Sequence, residues 1–141
     1  MVITNTNPSS IYYYKENVSN HEYKMHQHVY ELGIVNIPKV IDYNKTTKVM
    51  KMLRVGPMSV SDFYGELITH VPPYLLFAIR EIITKLYDNG IIYPDITGYN
   101  FIEHDGKVWI IDFEHAKYMN DYQKFTIKFV NGVKQWNPEF R

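Results

Sequence analysis

With 141 residues, 45% of them hydrophobic and 21% charged, the chain has the length and balance of one globular domain with its own core and is short for two. Its formal net charge is zero, which argues against a whole-domain electrostatic grip on nucleic acid, and no apolar run approaches the ~20 residues needed to cross a bilayer. It holds no cysteine, so disulfides and thiolate metal sites are excluded, and "MVITNTNPSS" has neither the basic start nor the apolar segment of a secretory signal, which makes the cytoplasm the default location.

Residues 1–10 are polar and read as a loose arm. "IYYYK" (11–15) is β-branched and aromatic and predicts a strand. Ser19 and Glu22 have capping-box spacing and open a helix to about Leu32, which Gly33 stops. "IPKVIDY" (37–43) and "TKVMKML" (47–53) flank "NKT" as a hairpin. After "VGPM" a short helix is expected over about 59–69, capped by Ser59 or Ser61. Leu75, Leu76, Ile79, Ile82, Ile83, Leu86 and Tyr87 then follow the 3.6-residue period of a helix over 73–89, entered through Pro72–Pro73 and closed by Gly90. "NFIEH" and "KVWIID" surround Asp105–Gly106, the strongest hairpin signal in the chain. A last helix is expected over 119–131 with Phe125, Phe129 and Val130 inward, and the tail reads as irregular with Trp136 and Phe140 as anchors. Strands and helices are segregated, which reads as α+β. The break at "VGPM" divides the chain into a small lobe of about 11–55 and a large lobe of about 58–141 with a cleft between them.

Chemistry concentrates at "YPDITGYN" and "IIDFEHA". Asp95 and Asn100 sit in the loop after the long helix, and Asp112 ends the second strand of the Asp105–Gly106 hairpin. Two carboxylates and an amide, all oxygen donors, suit a hard cation such as Mg²⁺. His21, His26 and His28 do not share one helical face, and read as packed or surface residues rather than as a metal cluster. The lysines of 45–54 read as the solvated face of a strand, which makes nucleic acid an improbable partner.

"YPDITGYN" resembles the catalytic loop of protein kinases, H-R-D-x-x-x-x-N, and "IIDFEHA" resembles their D-F-G segment. Tyr93, Pro94 and Glu114 depart from the usual pattern. The variants look more like choline kinases, aminoglycoside phosphotransferases and compact atypical kinases of the RIO kind. The resemblance covers about 11–118 and implies a truncated two-lobed protein-kinase-like fold, lacking the first strands and the Gly-rich loop. It implies that Asp95 is the catalytic base and that Asn100 and Asp112 hold magnesium. Lys15, paired with Glu22, would grip the ATP phosphates, and backbone groups near Leu53 to Val55 would hold adenine. The expected activity is Mg-ATP-dependent phosphoryl transfer to a hydroxyl, on a protein Ser or Thr. The alternatives are a small-molecule alcohol kinase, or a pseudokinase acting as a nucleotide-binding or protein-interaction module. The open edge of the small lobe invites cover from the N-terminal arm or from a second copy in a homodimer. The AT-rich codon palette of the residues suits a large DNA virus or a parasite, in which case the location would be host cytoplasm or virion.

Overall fold

In the computed structural model, which describes residues 2–3, 11–118 and 124–137, strands β1 (Val2–Ile3), β2 (Tyr12–Glu16), β3 (Val40–Asn44) and β4 (Val49–Leu53) form one antiparallel sheet in the order β1-β2-β4-β3. The expectation of a loose arm is corrected at Val2–Ile3, which pair with Glu16 and Lys15. The edge of β2 offers unpaired backbone groups, and Val2–Ile3 take up those of Lys15 and Glu16. Helix α1 (Asn20–Leu32) starts at Ser19, whose hydroxyl accepts from the Glu22 N–H at 3.0 Å, and ends at Gly33 with φ 66°. The β3–β4 turn lies later than expected. Asn44 Oδ1 accepts from the N–H groups of Thr46 and Thr47, and Lys48 takes the left-handed conformation, so the strands resume at Val49.

Below the cleft, α2 (Val60–Tyr64) carries a complete capping box between Ser59 and Asp62. The helix expected to reach residue 69 stops at Gly65, whose φ of 97° leaves helical space, and one 3₁₀ turn follows at Ile68–His70. The long α3 (Pro73–Asp88) buries Leu75, Leu76, Ile79, Ile82, Ile83 and Leu86 of the stripe that the period predicts, while Tyr87, its last member, is half-buried. Strand β5 (Ile91–Ile92) leads into the loop holding Asp95, and β6 (Phe101–His104) and β7 (Lys107–Ile110) turn at Asp105–Gly106. Both turn residues have positive φ, as a two-residue primed turn requires. Strand β8 (Lys117–Tyr118) returns antiparallel to β5, a pairing that the sequence reading lacks. Helix α4 (Lys124–Val130) buries Phe129, and Trp136 stacks on that ring at 6.2 Å. The rest of the expected last helix, 119–123, and Phe140 lie outside the described residues. No helix among the described residues is long and apolar enough to cross a membrane.

The main core joins α3 to Ile91, Tyr93, Phe101, Ile110 and Phe113, and it also takes Met25 and Val29 from α1. A smaller cluster of Val18, Met50 and Met52 lies under the sheet. Helix α1 therefore bolts the sheet to the lower lobe, and its Glu22 is fixed relative to both. Gly98 illustrates how tightly the loop is seated. A Cβ there would fall 2.1 Å from Ser61 Oγ and 3.1 Å from the Trp136 ring. Gly98→Ala is expected to destabilise by about 1–3 kcal/mol through overpacking. The Ser61 hydroxyl is buried without a hydrogen-bond partner among the described residues. Ser61→Ala should therefore cost little by itself and should recover part of the Gly98→Ala loss, as urea melts of the single and double variants would show.

Candidate active site

Lys15 is the one inward charge of β2, and it is 3% exposed. Its ammonium contacts Glu22 of α1 in a buried ion pair and lies 3.3 Å from Asp112 Oδ1. Burial opposes the ammonium charge, but the Asp112 and Glu22 carboxylates together outweigh it, so the Lys15 pKa is raised and the group stays charged. Glu22, at 1% exposure, has its pKa raised because burial outweighs the attraction of Lys15. Ser19 caps α1, and the Glu22 carboxylate goes to Lys15, so the two roles open to Glu22 fall to different parts of the residue: its N–H serves the cap and its side chain the ion pair.

Asp112 takes a left-handed backbone conformation with φ 67°, one residue beyond Ile111 at the exit of β7. Aspartate tolerates that region better than most residues, and the bend turns its carboxylate toward Lys15. Phe113, buried next to it, packs edge-on against His26 at 5.6 Å and Tyr93 at 5.4 Å. Three rings thus connect α1, the loop after β5 and the segment after β7. The Tyr93 hydroxyl adds a 2.6 Å bond to the Ile111 carbonyl. Tyr93, which stands where the kinase motif has histidine, thereby ties the two motif segments together.

His26 Nε2–H donates to the Pro38 carbonyl at 2.7 Å, and burial holds the ring neutral with a pKa lowered from 6.5 to about 4. The unfolded chain therefore binds one more proton than the native one between those values, and stability must fall as pH drops through that window. The loss attributable to His26 amounts to about 3 kcal/mol in all. It should be absent from the His26→Phe variant when unfolding free energies are compared between pH 7 and pH 4.

Asp95 and Asn100 meet in the loop after β5. Asn100 Nδ2 donates to the Asp95 carbonyl at 2.9 Å, which leaves the amide oxygen as the free coordinating atom of that side chain. The Asp95 carboxylate faces His115 Nδ1 at 2.8 and 3.0 Å. Burial raises the Asp95 pKa against the opposing effect of His115, and Asp95 in turn raises the His115 pKa although partial burial opposes it. His115 lies within "IIDFEHA", where nothing local marks it as functional; only the fold brings it within reach of Asp95.

Lys15, Glu22, Asp95, Asn100, Asp112 and His115 open on one cavity of about 540 Å³ between the sheet and the lower lobe, lined also by Met50, Met52, Leu53, Val55 and Ile102. Its lining combines those apolar side chains with the polar groups of Lys15, Glu22, Asp95, Asn100 and Asp112. Along the connector, the Leu53 N–H donates to Lys39 and the Arg54 N–H to Ile11, both at 2.9 Å. The Val55 N–H is the donor of this stretch without an acceptor among the described residues. Gly56 follows with φ 64°, and a Cβ there would sit 3.0 Å from Ile102, so the backbone runs close over β6.

The oxygen set fits a magnesium ion that is completed by phosphate. Asn100 and Asp112 line the same cavity, and no group of three or more His, Cys, Asp or Glu able to hold a metal occurs among the described residues. Mg²⁺ is commonly held by one or two protein oxygens, with waters and substrate phosphates filling its octahedron.

Comparison with known proteins agrees with this architecture. The family model described as the RIO domain matches residues 3–128. A 51-residue stretch is 39% identical to part of a probable bifunctional tRNA threonylcarbamoyladenosine biosynthesis protein of Methanospirillum hungatei JF-1, covering 36% of this chain and 10% of that protein. The solved kinase PK-1 of Cydia pomonella granulovirus is similar at a TM-score of 0.57 and 16% identity, over 86% of this chain and 56% of that one. The likeness is one of fold, and it bears out the α+β, protein-kinase-like architecture. This chain spans a tenth of the Methanospirillum protein and little more than half of the viral kinase.

Proposed function

The chain belongs to the RIO domain family, and we propose that it binds Mg-ATP in the cleft between its lobes and transfers the γ-phosphoryl group to a hydroxyl, on a protein serine or threonine. The observation that carries this reading is the convergence of Lys15, Asp95, Asn100 and Asp112, from three separate stretches of sequence, on one cavity. Its apolar lining, which includes Met52 and Ile102, suits a flat purine, and the Val55 N–H offers that ring a donor.

In this reading Lys15, fixed by Glu22, places its ammonium against the phosphates. Asn100 and Asp112 would hold the magnesium, which when bound neutralises phosphate charge. Asp95 receives the acceptor O–H, aligns it with the γ-phosphorus and takes its proton as the new O–P bond forms. The bond from phosphorus to the bridging oxygen breaks with its electron pair on the departing ADP. Holding the two reactants in line supplies most of what such a transfer needs from a protein. Aspartate at position 95 also has the raised proton affinity expected of a base.

Incubation with γ-labelled ATP and Mg²⁺ tests the acceptor class. Label on serine or threonine of an added protein mixture is expected. Label found only on a panel of small alcohols would transfer the reading to alcohol phosphorylation, and no label on either would remove the enzyme reading.

A further inference from the structure

We infer that His115 is a positioning residue for the reaction, holding the Asp95 carboxylate in the orientation that receives the acceptor hydroxyl. The inference rests on the proposed role of Asp95 as base. Its ground is the geometry of the pair. His115 Nδ1 lies 2.8 Å from Asp95 Oδ2 and 3.0 Å from Oδ1, so one ring N–H bridges both carboxylate oxygens. The carboxylate is otherwise buried, at 6% side-chain exposure, whereas the imidazole is 48% exposed at the rim of the same cavity. Without the ring, the plane of the carboxylate could turn about its Cβ–Cγ bond, because Asn100 fixes only the backbone carbonyl of Asp95.

A carboxylate has about four lone-pair sites, so a bridging N–H leaves room for one acceptor hydroxyl. His115 therefore orients Asp95 without displacing the acceptor. The ring also follows Asp112 by three positions in one short segment that Phe113 anchors between His26 and Tyr93. Whatever seats Phe113 sets the metal-binding carboxylate and the base together. That link adds a second consequence: a segment shifted by loss of the Phe113 contacts would misplace Asp95 through His115 even though the loop after β5 were intact.

The test combines kinetics with a spectroscopic readout. His115→Ala is expected to lower kcat by about tenfold to a hundredfold, as a misplaced reacting group does, with the KM for ATP unchanged. His115→Asn, whose amide N–H can reach the same carboxylate, should restore most of that loss, and His115→Phe should not. Long-range ¹H–¹⁵N spectra of the imidazole should show Nδ1 protonated in the wild-type chain and altered in Asp95→Ala. Wild-type kcat in His115→Ala, equal losses in the Asn and Phe variants, or a ring protonated only at Nε2 would each overturn the inference. A wild-type chain that transfers no phosphate would fail the enzyme reading instead, and the spectra would still decide whether Nδ1 holds Asp95.

Discussion

Asp95→Asn is expected to lower kcat for phosphoryl transfer by about 10²–10⁴-fold, the range that a general base contributes, while ATP binding and folding stay close to wild type. The chemical change is small and local. The amide keeps an oxygen able to accept from His115 Nδ1, so the loop retains its contact, and the Asp95 carbonyl still receives Asn100. Burial already raises the Asp95 pKa, which means that its charge is unfavourable in the native state; removing the charge should not weaken the fold near neutral pH. Steady-state kinetics beside a nucleotide-dependent thermal shift separates the two effects. Loss of turnover with retained binding is the expected pair of results, and unchanged turnover would remove Asp95 from the chemistry.

The second large effect lies in the ion cluster. Lys15→Met should cost about 3–5 kcal/mol, because it leaves Glu22 buried without its partner. Attraction between the charges is not the main term; desolvation of the orphaned carboxylate is. The double variant Lys15→Met with Glu22→Leu should therefore recover much of the stability, since an apolar pair of similar volume removes the buried charge altogether. It should not recover nucleotide binding. Denaturant midpoints of the three variants, with ATP titrations beside them, check both statements. A double variant as unstable as the single one would show that Lys15 acts through packing rather than charge. Lys15→Arg is no neutral control here, because a planar fork does not fit the space of a compact ammonium between two carboxylates.

Much of this was open to reading from the residues. Helix α3 carries its apolar positions at a strict period, so its buried face follows from the sequence. Asp105–Gly106 dictates its hairpin through two positive φ angles, and Gly33 and Ser59 mark helix ends through local chemistry. The spacing of Asp95, Asn100 and Asp112 depends on short connections, so their convergence could be anticipated. Other features depend on partners distant in the chain. Strands β5 and β8 have two residues each and no pattern of their own; they exist because Ile91 and Ile92 find Lys117 and Tyr118. The pairing of Val2–Ile3 with β2 answers an open edge, not a local propensity. The early end of α2 turns on Gly65, which composition alone does not distinguish from a tolerated helical glycine. His115 acquires its partner only when the segment after β7 folds back over the loop after β5.

The most direct measurement of the central claim is the thermal stability of the wild-type chain and Asp112→Asn with ATP, in the presence and absence of Mg²⁺. Asparagine suits the left-handed conformation at this position, so the variant isolates the charge from backbone strain. At ATP about 100 times its dissociation constant the wild type should gain about 2.7 kcal/mol, a rise of a few degrees for a domain of this size. The magnesium-dependent part of that gain should vanish in the variant. A wild-type chain that ATP does not stabilise, or whose gain ignores both Mg²⁺ and the substitution, would contradict nucleotide binding at this cleft.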